Sequence, residues 1–387
     1  PARRHGIGRS RPEEYPVTAQ SRIVNATAPV RVCDIGGWTD TWFAEHGDVV
    51  NLAVAPCVRV QVFARERTAD SPRITVFAEN YDDRFQVLLD DERASGGKHD
   101  LLTAAFQVMQ VQDDLAIEVH LYSDMPGGAS TGTSAAVSVA LIGALDALTP
   151  GRLAPYEVAR LAQRIETEIL GLQCGVQDQL CAAYGGINYI QMSKYPEASV
   201  SPLALPPEFA WELQRRLVLV YLGSAHVSSL VHEAVIRDFE DSGPDDERLC
   251  GLRAAAVRAK NALLLADMAA FAGAMRENTE WQARMHSGIL GPAAQTVIDT
   301  AKECGAIGWK LNGAGGDGGT VTLLFGPVDH DKRRFADDLG SVLPKARLIP
   351  VQISPIGLRV WTHQGGGTAD GRWPAHCDAG QLGLPRR

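Results

Sequence analysis

Pro126-Gly127-Gly128-Ala129-Ser130-Thr131-Gly132-Thr133-Ser134-Ala135-Ala136 opens an apolar run that continues through Leu148. Small residues let a backbone fold tightly and aim its N–H groups inward. The run behind them (Val137, Val139, Leu141, Ile142, Ala144, Leu145, Leu148) is long enough for a buried helix. A glycine-rich turn feeding a helix N-terminus holds phosphate, because the first N–H groups lack partners and the helix dipole adds positive charge. Hydroxyls at Ser130, Thr131, Thr133 and Ser134 add ligands for phosphate or Mg²⁺. The competing reading is a small-residue loop packed on a neighbouring helix. A Walker A loop would need Lys directly before Ser or Thr, and no such Gly-rich sequence occurs. The neutralising cation must therefore be Mg²⁺ or come from elsewhere in the chain.

The surrounding pattern is mixed. Strand-like runs fall at Val30–Cys33, Val49–Val54, Val58–Ala64, Ile74–Phe77 and Ala116–Tyr122, and helical ones at Asp100–Met109, Thr133–Leu148 and Pro155–Leu170. A second half carries a strand at Arg216–Leu222 and helices near Glu247–Leu265, Met268–Gln282 and Pro292–Cys304. Strands at Gly319–Phe325, Ala346–Ile353 and Gly357–Trp361 complete it. Such mixing in both halves predicts an α+β pair of domains rather than one doubly wound sheet. The boundary is expected near Ser193–Pro207, giving an N-terminal domain over 21–200 and a C-terminal one over 201–363. Residues 1–20 read as a loose arm, and 364–387 as a disordered tail.

At 387 residues the chain can bury a sizeable core. The net charge of −9 argues against a nucleic-acid binder, for which a basic face is expected. No charge-free apolar segment reaches membrane-spanning length, and the first twenty residues lack the apolar core of a signal peptide. Seven scattered cysteines without a C-x-x-C pair suggest reduced thiols and a cytoplasmic protein. Cys174 and Cys181 are expected to be packing residues rather than a zinc site.

Three further constellations carry chemistry. In Ala28-Pro29-Val30-Arg31-Val32-Cys33-Asp34-Ile35-Gly36-Gly37-Trp38-Thr39-Asp40, a strand ends in Gly-Gly and then presents Trp, Thr and Asp. An aromatic face beside a carboxylate suits a sugar; a tight turn whose Asp caps the next helix is the competing reading. The second is Glu166 through Gln179, following a helix with apolar residues at 158, 161, 162, 165, 169 and 172. At about 100° per residue Glu168 falls roughly 20° from Leu161, which places Glu168 on the inward stripe as the Mg²⁺ candidate and Glu166 in solvent. Asp178 follows a Gly-containing turn, where an N-cap is the plain alternative. The third, Gly308 to Gly319, contains G-x-G-x-x-G at 313–318. A strand and not a helix follows, which rejects a dinucleotide fold. A loop closing over a phosphate site remains, against a plain hairpin turn.

In order and spacing, these motifs resemble the GHMP small-molecule kinases over about residues 23–363. Ala28 to Asp40 is similar to the family's Ala-Pro-x-Arg-Val-x-x-x-Gly-x-x-Thr-Asp. Pro126 to Ala135 is similar to Pro-x-Gly-x-Gly-Leu-Gly-Ser-Ser-Ala, with Ser130, Thr131 and Thr133 replacing the usual Gly, Leu and Ser. Lys310 to Gly319 is similar to Lys-x-x-Gly-Ala-Gly-x-Gly-Gly, with Asp317 inserted. The resemblance implies a ribosomal-S5-like N-terminal domain, a ferredoxin-like C-terminal domain, and ATP with Mg²⁺ as cofactors. It further implies ATP phosphates on Pro126, Gly127, Gly128, Ala129, Ser130, Thr131, Gly132, Thr133 and Ser134, and Mg²⁺ on Ser134 and Glu168. Asp178 would take the acceptor proton, with Arg31 beside it.

Galactokinases carry Glu-His where Gly37-Trp38 stands here. Gly36-Gly37-Trp38-Thr39-Asp40 and Gln177-Asp178-Gln179 are closer to the heptose-phosphate and fucose kinase branch, which implies phosphorylation of an anomeric hydroxyl. By that resemblance Gly36, Gly37, Trp38, Thr39, Asp40, Gly175, Gly315 and Gly316 would contact the acceptor, Asp40 through its hydroxyls. The segment Tyr221 to Ser229 could also reach it, with His226 there equally a surface residue or a ligand, and Asp317 is expected to point outward. The expected partner is a small sugar or sugar phosphate, with no nucleic acid or membrane, in a monomer or homodimer. Another sugar kinase of the superfamily, of the fucose, glucuronic acid, amino sugar or galactose type, is the alternative within the enzymes, and a catalytically silent sugar and ATP sensor the alternative outside them.

Overall fold

The computed structural model describes residues 21–89, 99–224, 229–316 and 318–364. The arm at 1–20, the tail from 365, His226 and Asp317 lie outside the described residues. The chain order is β1 (Arg22–Ile35), β2 (Gly47–Glu66), β3 (Ile74–Ala78), β4 (Asp83–Gln86), α1 (Asp100–Met109), β5 (Leu115–Ser123), α2 (Thr133–Asp146), α3 (Pro155–Arg164) and a π-helical turn at Ile165–Ile169. Then come α4 (Gln177–Tyr184), β6 (Ile187–Lys194), β7 (Glu197–Pro202), α5 (Pro207–Arg216), β8 (Leu217–Tyr221), α6 (Ser229–Ser242), α7 (Glu247–Leu264) and α8 (Met268–Met285). The chain closes with α9 (Pro292–Glu303), β9 (Ala306–Leu311), β10 (Thr320–Phe325), α10 (Asp329–Val342), β11 (Arg347–Ile349), β12 (Gln352–Ile353) and β13 (Arg359–Gln364).

Two sheets and two apolar clusters result, the larger cluster reaching one face of the small sheet through Leu217, Leu219 and Leu324, and the α+β expectation holds. The larger runs β13-β1-β2-β5-β3-β4, with β6, β7 and β12 added along the long β2. Its pairs are antiparallel except β3 with β5. Against it lies α2, buried from Ala135 to Asp146 apart from Val137, so small and aliphatic side chains on all faces form a helix packed between layers. The smaller sheet, β11-β8-β10-β9, is wholly antiparallel.

Further pairings extend the large sheet near the expected boundary and at the end of the described chain. Within Ser193–Pro207, Glu197–Pro202 forms β7 and pairs with β6. The chain end also returns to that sheet, with β13 on β1 and β12 on β2. Edge pairing of this kind is decided by strands hundreds of residues apart, and composition does not record it.

Candidate active site

The end of β1, the loop before α2, the N-terminus of α4 and the turn after β9 enclose a cavity of about 510 Å³. Gly127 to Ala135 line one side of it. Gly132, at φ +68°, is the N-cap residue of α2, and no side chain caps that helix end. The first-turn N–H groups thus face the cavity with Ser134 exposed beside them, an arrangement that favours an anion. Pro126 is not among the lining residues. Ser130, at φ +57°, has its Oγ buried without a partner. A Cβ at Gly319 would sit 2.6 Å from that oxygen, and one at Gly313 would sit 3.0 Å from the Ser130 carbonyl oxygen. Of the residues that depart from the family pattern here, Ser130 is therefore one on which the second glycine loop rests.

Opposite the helix end stands Asp178, in the first turn of α4. Arg31 Nε donates to Asp178 Oδ1 at 2.8 Å and Nη2 to Oδ2 at 3.3 Å. Arg31 also donates from Nη1 to the Ser130 carbonyl. Burial alone would lower the Arg31 pKa, but Asp178 and Asp34 outweigh it and hold the guanidinium charged. A Cβ at Gly132 would lie 2.9 Å from Asp178 Oδ2. The carboxylate therefore touches the mouth of the anion site, and only glycine fits there.

Glu166 lines the same cavity, and Glu168, the residue expected to hold Mg²⁺, does not. Glu168 is exposed and paired with Arg164 at 3.0 Å; Glu166 is 8% exposed. The buried stripe of α3 is made by Val158, Ala159, Ala162 and Ile165, while Leu161 is only half-buried at its edge. Glu166 follows Ala162 by one turn, about 40° of rotation, whereas a residue close to Leu161 in angle points away from the centre. The turn then widens, Leu170 N reaching Ile165 O at 3.1 Å, a π bulge of the kind found at functional sites. Burial raises the Glu166 pKa to about 7, Gln179 Nε2 donating at 2.8 Å lowers it in part, and Asp178 raises it further.

The Gly-Gly-Trp-Thr-Asp turn divides. Trp38 and Asp40 line the cavity; Gly36, Gly37 and Thr39 do not. Thr39 is fully buried, its hydroxyl donating to Gly36 O at 2.7 Å, and a Cβ at Gly36 would overlap Asp48 O. These three hold the turn's shape. Trp38 packs against His232 and Phe43. Asp40 Oδ2 accepts from Val176 N at 2.9 Å and Gln177 N at 3.0 Å, capping α4. Burial pushes its pKa up to about 6 against those hydrogen bonds. Gly175 lines the cavity and leaves the room Asp40 needs, since a Cβ there would lie 2.0 Å from Asp40 Oδ2. Gly315 and Gly316 are also outside the lining, because a Cβ at Gly315 would meet Ile289 and Gly316 N donates to Ile289 O. Gly313 and Ala314 line it in their place.

Sequence reasoning missed Gln177, Gln179, His232 and Asp34 as lining residues, and Lys310 behind Asp34. Trp38 Nε1, Ser130 Oγ, Gln177 Oε1 and Gln179 Oε1 are buried without a hydrogen-bond partner, and all four belong to residues lining this cavity. Arg31 is the only Lys or Arg among the described lining residues.

An uncapped helix end, a carboxylate held by arginine against it and a second buried carboxylate thus meet at one cavity. Residues 100–186 match the GHMP kinase N-terminal domain and residues 255–342 the GHMP kinase C-terminal domain. The chain belongs to the GHMP kinases, which are ATP-using phosphotransferases. Its relatives include a D-glycero-alpha-D-manno-heptose 7-phosphate kinase of Campylobacter jejuni, 26% identical over 81% of this chain and 91% of the relative. A bifunctional fucokinase/GDP-fucose pyrophosphorylase of Arabidopsis thaliana is 25% identical over 79% of this chain, which spans 30% of that larger protein. Among solved structures, a D-glycero-D-manno-heptose 1-phosphate kinase from Bacteriodes thetaiotaomicron superposes with a TM-score of 0.67. It is 24% identical, covering 87% of this chain and 98% of that one. Among the described residues, no helix is long and apolar enough to cross a membrane.

Proposed function

We propose that this chain is an ATP- and Mg²⁺-dependent sugar kinase that phosphorylates the anomeric hydroxyl of a heptose 7-phosphate or a related sugar. The carrying observation is Asp178, held by Arg31 at 2.8 Å with its carboxylate against Gly132 at the start of α2. In this reading the N–H groups of α2 and the hydroxyls of the loop hold the ATP phosphates. Asp178 orients the acceptor hydroxyl and receives its proton as the acceptor O–P bond forms and the bond from the γ-phosphorus to the departing ADP breaks, and Arg31 steadies the charge that develops. Ser134 and Glu166 would hold Mg²⁺, which offsets phosphate charge. The fit rests on Glu166, a buried carboxylate at the cavity wall whose hydrogen-bond donor is a neutral amide. One or two protein ligands suit Mg²⁺, which takes its other ligands from phosphate and water.

The sugar reading is supported by the unpartnered Trp38 Nε1 and the glutamine oxygens, a donor and acceptors that a polyhydroxylated ligand satisfies. A non-phosphorylated acceptor of the fucose type is the second reading. Arg31, already paired with Asp178, is the only described lining cation that a distal phosphate would find. Incubation with Mg-ATP and a panel of heptoses, their 7-phosphates, fucose and other sugars tests both readings, with ADP scored and the phosphate located by NMR. Turnover on a 7-phosphate supports the first and turnover on free fucose the second. ATP and sugar binding without ADP release means a silent sensor.

A further inference from the structure

From the cavity wall inward, four buried or half-buried charges alternate in sign: Asp178, Arg31 and Asp34, which line the cavity, and Lys310 behind them. Asp34 and Lys310 side chains are each 1% exposed, with Lys310 Nζ 3.2 Å from Asp34 Oδ1. Lys310 also donates to Gln282 Oε1 at 3.1 Å and to its neighbour's carbonyl at Leu311. Gly313 N donates to both Asp34 oxygens, at 3.2 and 3.1 Å. Arg31 Nη1 stands 3.9 Å from Asp34 Oδ1, farther than its contacts with Asp178. Asp34 ends β1 of the large sheet and Lys310 lies in β9 of the small one, so this pair also bridges the two sheets.

We propose that Lys310 is a positioning residue for phosphoryl transfer: by neutralising Asp34 it leaves the Arg31 guanidinium committed to Asp178. This rests on the kinase reading above. The two carboxylates compete for one guanidinium. Asp178 has a side chain 28% exposed and can be solvated; Asp34 at 1% cannot. An uncompensated buried charge costs far more than one that water reaches. Without Lys310, Arg31 therefore closes on Asp34 and releases Asp178. Burial drives both partners of the Asp34–Lys310 pair toward neutrality; Arg31 first, then Lys310 and the N–H of Gly313, hold the Asp34 pKa below its ordinary value.

The test uses the full chain with Lys310→Met and the double variant Asp34→Asn/Lys310→Met, which removes both charges and with them the competition. Steady-state kinetics should show kcat reduced at least about 30-fold in the single variant, with KM for ATP within about 2-fold. The double variant should return to within about 5-fold of wild type. The Arg31 Nε–H NMR resonance, assigned by its loss in Arg31→Lys, should move in the single variant and return in the double. A single variant with wild-type kcat and an unmoved resonance overturns the proposal, as does a double variant no better than the single. If Lys310→Met does not fold, a double variant whose Arg31 resonance departs from wild type overturns it. The resonance is read without turnover, so a wild-type chain inactive on every sugar defeats the kinase reading while this test still decides.

Discussion

Two glycine-rich loops meet at this site and use their glycines for different ends. In 126–134 the small residues lead into a helix, and the loop presents N–H groups and hydroxyls to a cavity. In 312–319 they join two strands, and glycines are needed where another chain segment approaches: Gly313 and Gly319 over Ser130, Gly315 over Ile289. The loops touch through Ser130 and through Thr320 Oγ1, which donates to Ala129 O at 2.8 Å. Glycine content alone does not separate a loop that binds from one that braces. The element each loop leads into does, because only a helix start offers a set of unpaired donors.

That contrast breaks most readily at the group between the loops. Asp178→Asn should lower kcat by about 10³-fold or more while leaving ATP affinity within a few-fold. Isothermal titration with ATP beside kinetics reads both, and near-wild-type turnover would remove Asp178 from the chemistry. Next comes the metal side of the first loop. Glu166→Gln should cost about 10²-fold in kcat and raise the Mg²⁺ concentration needed for half-maximal rate. Glu168→Gln, exposed and paired only with Arg164, should stay within about 2-fold. Reversal of that order would restore the assignment by helical phase.

The error in phase shows where the sequence stops being legible. The motif order placed Arg31, Asp178 and the α2 loop around one cavity, because backbone chemistry at each is local. The apolar period of α3 was also readable, but its centre was not. Leu161 is apolar and only half-buried, and the alanines that mark the buried middle carry little hydrophobic signal. Thr39 and Gly36 illustrate the converse, since residues that shape a turn share the spacing of those that touch a ligand. Asp34 and Lys310 were invisible as a pair because their contact spans 276 residues and two sheets.

A smaller effect separates the loops directly. Gly132→Ala puts a methyl 2.9 Å from Asp178 Oδ2 at φ +68°, and Gly315→Ala puts one 2.7 Å from Ile289 O at φ +76°. Both carry a left-handed backbone cost of about 1–2 kcal/mol. Only the first also displaces the carboxylate. Gly132→Ala should therefore lower kcat by about 10-fold or more, and Gly315→Ala should lower the melting temperature while the folded fraction keeps kcat within about 3-fold. Equal losses of kcat would mean that the second loop also takes part in the chemistry.

Asp40 gives the smallest and most selective measurement, because it braces the α4 end of the site through its charge state. Its folded pKa of about 6 lies above the ordinary 3.8, with burial the largest cause. The folded state thus holds the proton more tightly than the unfolded one. The stability this lends is fully present below about pH 4 and is lost as the pH rises through about 6. Asp40→Asn has no such loss, whatever the constant cost of exchanging one acceptor oxygen for an amide. The unfolding free energy of the variant relative to wild type should therefore rise by about 2 kcal/mol between pH 4 and pH 7.5. Urea titrations at the two pH values read it, and a difference that stays flat would mean that Asp40 is ionised in the fold across the whole range. In that case the two N–H donors of α4 outweigh burial, and the cap, rather than the cavity, sets its charge.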